Sequence, residues 1–186
     1  PLQGGFEFVH ASNLLSDIKP PDWLIDGTLE AESLSVLFGE SGSYKTFLSL
    51  SWGLSIASGV DWFGHKVKQG SVFFIIGEGS NGFARRVKAW EIENGVDLSD
   101  KPFYVSKTPG MMFDDKSAKA AGDAINLLCD KHEKPALVVI DTLARNFGPG
   151  DENSTKDMTA FISKFDKYIG RDFHRLLVHH TGHSNK

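Results

Sequence analysis

Residues 39–46 read GESGSYKT, one position away from the phosphate-cradling pattern G-x-x-x-x-G-K-[ST]. Tyr44 stands where the pattern has its second glycine. In such a loop the backbone N–H groups of Gly39, Glu40, Ser41, Gly42, Ser43 and Tyr44 curl into an anion nest, and the following helix turns its positive end toward it. Lys45 would set a positive charge beside the β- and γ-phosphates, and the Thr46 hydroxyl would ligate Mg2+. Phe47 completes the contacting stretch. The bland alternative is a Gly/Ser turn leading into an amphipathic helix. Tyrosine disfavours positive φ, so the expectation is Tyr44 at negative φ, its ring away from the phosphates and packed on core or lead-in residues.

Four further positions bear on that chemistry. Asp141 follows the apolar run LVVI, and a carboxylate there holds a metal's water shell. Its spacing downstream of the loop makes the two patterns support each other as an ATP and Mg2+ site. Glu78 lies just beyond VFFII, where a carboxylate at a nucleotide crevice can take a proton from an attacking water. His179 and His180 end the run RLLV, and alternation sends them to opposite faces, one toward the γ-phosphate and one into packing. With His183 they also invite a zinc reading, but the chain has one cysteine and the spacing is no familiar ligand set. Residues 77–82, GEGSNG, match the dinucleotide fingerprint G-x-G-x-x-G. Glu78 within that turn would oppose a pyrophosphate, and the phosphate-loop candidate comes first in the chain. The dinucleotide reading is set aside on those grounds.

These residues need a scaffold that brings strand ends together. Apolar runs predict strands at 34–39, 71–77, 103–106, 136–141 and 175–180. Between them, helical spacing predicts helices at about 45–59, 81–93, 116–132 and 156–169, the last with Met158, Phe161, Ile162, Phe165 and Ile169 on one face. Alternating strands and helices imply an α/β fold, a mostly parallel sheet covered on both faces, with ligands beyond the carboxyl ends of the strands. LSVLFG at 34–39 reads as buried. Residues 1–31 read as an irregular lead-in packing on a core of 32–186.

Composition narrows the class. The 186 residues, 40% hydrophobic and 24% charged, suit one soluble domain. No run approaches the length of a membrane span, and a single cysteine excludes an intrachain disulfide. A net charge of −4 argues against a monomer coated for duplex DNA, though a ring can gather basic residues in its channel. Lys107, Lys116 and Lys119 are weak candidates for that role, a solvated face being the plainer reading.

The motif order GESGSYKT, GHKVKQGSVFFIIGEG, RRVKAWE, LVVIDTLARNFGPGDENSTKDM and LLVHHTGH resembles the RecA-like P-loop ATPase core, within it the plasmid RepA-like hexameric replicative helicases and phage "AAA family ATPase" proteins. The resemblance runs from about Trp23 to His183. It implies sheet order 3-2-4-5-1, with Lys45 and Thr46 on phosphates and Mg2+, Asp141 on the metal, Glu78 as catalytic base and the pair His179–His180 sensing the γ-phosphate. Glu152 and Asn153 fall near the site by the same resemblance. It also implies a homo-hexamer on single-stranded DNA, in the cytoplasm of a bacterial or phage-infected cell, without a membrane. A RecA-like ATPase that is not a helicase, such as a recombination mediator or regulatory switch, shares every motif. The family continues through further strands, a DNA-facing loop and an arginine finger; taken as a whole protein, this chain is expected to bind nucleotide and hydrolyse it poorly.

Overall fold

The computed structural model describes residues 8–16, 18–77, 80–129 and 134–181. A short helix α1 (Ala11–Leu15) precedes a small antiparallel hairpin, β1 (Trp23–Ile25) and β2 (Leu29–Glu30). Then come β3 (Leu34–Gly39), α2 (Lys45–Ser58), β4 (Val72–Ile76), α3 (Ser80–Asn94) and β5 (Phe103–Val105). The chain continues through α4 (Asp115–Leu128), β6 (Leu137–Asp141), α5 (Leu143–Phe147), α6 (Thr155–Tyr168) and β7 (His174–His180). The sheet order is β3-β7-β6-β4-β5, with every pairing parallel. Counted along the chain these strands are 1-5-4-2-3, the expected RecA-like order read from the other edge.

Strand alternation divides the core. Phe74, Ile76, Val139, Leu176 and Val178 face α2 and α3, joined by Leu50, Leu54 and Phe83. Phe73, Ile75, Val138, Ile140 and Leu177 face α4, α5 and α6. On that second side Phe113, Phe147, Phe161 and Phe165 stack in series, with centroids 5.4, 5.0 and 6.3 Å apart. The apolar face expected on α6 is there: Phe161 and Phe165 are fully buried, and Met158 and Ile162 pack beside them. Gly122 lets α4 approach α6 closely, because a Cβ there would lie 2.0 Å from the Tyr168 carbonyl oxygen.

Two expectations fail. The stretch 18–31 packs on the core but is not irregular throughout: Trp23–Ile25 and Leu29–Glu30 pair as a hairpin whose Leu24, Ile25 and Leu29 are buried in the first core, and Lys68 pairs with Asp22 at 2.7 Å. β3 is also not buried throughout. It is the edge strand among the described residues, and Leu34, Val36 and Phe38 are exposed at 39%, 51% and 69%. Among the described residues no helix is long and apolar enough to cross a membrane.

Candidate nucleotide site

The parallel register sets the strand ends side by side. Gly39 lies opposite His180, and Thr181 N–H donates to the Gly39 carbonyl at 3.1 Å. Ile76 lies opposite Asp141, and Gly77 N–H donates to the Asp141 carbonyl at 2.7 Å. Gly77 has no room for a side chain: a Cβ would lie 2.2 Å from the Arg145 Cβ. The first glycine of GEGSNG is therefore explained by packing against α5.

From β3 the chain turns through residues 40–44 into α2. Ser43 holds the turn, its N–H and hydroxyl both donating to the Glu40 carbonyl at 3.3 and 2.8 Å. Tyr44 is the N-cap of α2 and makes no side-chain capping bond. The first-turn N–H groups of a 14-residue helix thus keep their positive end open toward the loop. Lys45 is 5% exposed, and its ammonium donates to the Gly39 and Glu40 carbonyls at 2.8 and 2.7 Å and to the Ser43 hydroxyl at 3.3 Å. Three donors on three oxygens fold the side chain back under the loop.

The expectation for Tyr44 is corrected. Its φ is +61° and ψ 19°, the left-handed conformation that the pattern's glycine takes freely. The turn geometry prevails over the side chain's preference, because the loop must reverse sharply to start α2 beneath it. Nor does the ring pack on core or lead-in residues; it is 75% exposed, 6.0 Å from the Phe47 ring.

A cavity of about 420 Å3 opens at these strand ends, lined by Ser41 to Phe47, Ile76, Asp141, Thr142 and His180, with Gly82, Phe83 and Arg86 from α3. Lys45, Thr46, Asp141 and His180 are thus on one wall system, and Asp141 is 6% exposed. The Ser49 hydroxyl lies 3.5 Å from an Asp141 carboxylate oxygen. His180 shares the strand face of Leu176 and Val178, while His179 is on the opposite face; both have a buried Nδ1 without a hydrogen-bond partner among the described residues. Glu78 and His183 lie outside the described residues. Glu152 and Asn153 belong to the loop that starts α6, where Ser154 caps the helix by accepting from Asp157 N–H at 3.3 Å; neither lines the cavity. Lys119 pairs with Asp123 at 2.7 Å on an exposed face of α4.

Arg86 is the residue that sequence reasoning missed. Its guanidinium sits 4.8 Å from the centroid of the Phe47 ring, at the cavity. The signal was present: Phe83 faces the core against Phe74, and a residue three further along a helix shares that side.

The donor set fits a magnesium nucleotide. Among the described residues no three His, Cys, Asp or Glu side chains gather into a metal's ligand set. Magnesium carried with phosphates asks for only one or two protein oxygens, as Thr46 and Asp141 offer. The family described as AAA domain matches residues 3–186, nearly the whole chain. A search of curated proteins gave no match.

Proposed function

The chain belongs to the AAA domain family of P-loop ATPases, and from that premise we propose that it is the Mg2+-dependent ATP-hydrolysing core of a replicative DNA helicase. The observation carrying the nucleotide reading is the shared cavity: Lys45, Thr46, Asp141 and His180, from three separate parts of the sequence, line it together. Lys45 offsets phosphate charge, and the α2 N-terminus adds its N–H groups. Thr46 and Asp141 would hold the Mg2+, which would supply positive charge against the phosphates. Glu78 takes a proton from water as the water oxygen bonds the γ-phosphorus; the bond from that phosphorus to the β–γ bridging oxygen breaks, giving ADP and phosphate. His180 contacts the γ-phosphate, and its neighbour Thr181, whose N–H donates to the Gly39 carbonyl, links the end of β7 to the start of the loop.

Support for the helicase reading is the motif order shared with the RepA-like helicases, including the histidine pair at the end of β7. On that reading a homo-hexamer encloses single-stranded DNA. The test is ATPase activity of the full-length protein with and without single-stranded DNA, together with strand unwinding and mass measurement. Stimulation, unwinding and a hexameric mass are expected. DNA-independent hydrolysis without unwinding would assign the chain to a non-helicase ATPase instead.

A further inference from the structure

The cavity is chemically two-ended. Lys45 and Asp141 are nearly inaccessible at its inner end, whereas Tyr44 and Phe47 are 75% and 50% exposed at its mouth. The two rings lie 6.0 Å apart with planes tilted by 59°, and the Arg86 guanidinium covers one face of Phe47. Tyr44 keeps a left-handed backbone that disfavours its own side chain. It receives no burial in return. Core packing therefore does not account for an aromatic residue at this position. A loop that cradles phosphates at its N–H groups and carries an open π-face beside them has the two surfaces a nucleotide needs.

We propose that Tyr44, braced by Phe47 and Arg86, is a stacking platform for the nucleobase, and that it makes the site tolerant of base identity. This rests on the nucleotide reading above. Stacking uses the π-face that every base has, so discrimination follows ring size rather than edge hydrogen bonds. ATP and GTP are expected to bind alike, and pyrimidine triphosphates more weakly.

The experiment is titration of Mg-ATP, Mg-GTP, Mg-CTP and Mg-tripolyphosphate into the intact protein and into Tyr44→Gly and Tyr44→Phe. Glycine keeps the loop's left-handed turn, so the phosphate nest is retained. With the wild type, ATP should bind at least about 10-fold tighter than tripolyphosphate, the scale of one stacked base. Tyr44→Gly should lose that advantage with tripolyphosphate affinity unchanged, and Tyr44→Phe should retain it. Equal ATP affinity in wild type and Tyr44→Gly overturns the platform and leaves the phosphate loop standing. So does a Tyr44→Gly effect confined to oligomer mass, which would make the ring a contact between copies. Wild-type protein that binds neither ATP nor tripolyphosphate overturns both readings.

Discussion

Lys45 spends its three donors on the Gly39 and Glu40 carbonyls and the Ser43 hydroxyl. Its removal should therefore be felt twice, in the fold of the loop and in phosphate binding. Lys45→Ala is expected to weaken ATP binding by at least about 10-fold, since a hydrogen bond to a charged group contributes about 1.5–3 kcal/mol. Unchanged affinity in a titration would remove the phosphate-loop assignment. Glu78→Gln is the complementary change: ATP binding kept and turnover lost in the full-length protein, with normal turnover removing Glu78 from the base role. Gly77 carries a structural prediction. With the Arg145 Cβ 2.2 Å from where its own would stand, Gly77→Ala should lower stability by about 1–3 kcal/mol through overpacking, read as a reduced urea midpoint. At this scale the sequence was legible wherever chemistry demands a residue type at a set spacing, as for Lys45, Thr46 and Asp141. It was not legible at Tyr44, because a residue's preferred φ does not reveal that the surrounding turn overrides it. Arg86 was missed because its place is set by a neighbour, Phe47, 39 positions away in the chain.

Long elements were the most legible. Helices of 14 residues and apolar strands of five or more announce themselves by period; among the short elements the three-residue β5 was anticipated, while the hairpin strands and the five-residue α5 were not. Burial of β3 was misjudged because an apolar run does not say whether its strand is central or at an edge. The hairpin is tied to β7 through His174, whose Nδ1–H donates to the Glu30 carbonyl at 2.6 Å near the Ser33 hydroxyl. Burial holds this imidazole below the ordinary value of 6.5, outweighing the bond to Glu30, which favours the charged ring. The folded protein thus binds the proton less readily than the unfolded chain does. The stabilisation is complete above the unfolded value and is lost as pH falls from there toward the depressed folded value. Between about pH 7.5 and 5.5 the wild-type urea midpoint should fall more than that of His174→Asn, which keeps a donor and cannot titrate. Equal slopes would mean His174 does not govern this window. In α6, Phe161 is fully buried in the ring stack, and Phe161→Ala should cost about 3–5 kcal/mol in the same assay.

For the molecule as a whole, sheet order mattered more than any motif. The order β3-β7-β6-β4-β5 puts the last strand between the first and the fourth, and so brings His180 beside the phosphate loop across more than 130 residues of chain. That placement could be anticipated only through the family resemblance, since spacing alone does not say which strands are neighbours. The same order leaves β3 outermost among the described residues, with Leu34, Val36 and Phe38 in an exposed row along it. A solution of this chain is therefore expected to behave as an adhesive one, its light scattering rising with concentration and salt as edges meet. Val36→Lys should raise the solubility limit severalfold while ATP affinity stays unchanged, because a lysine on a strand edge repels its own kind. Sample handling, more than catalysis, would then be governed by three side chains on one strand.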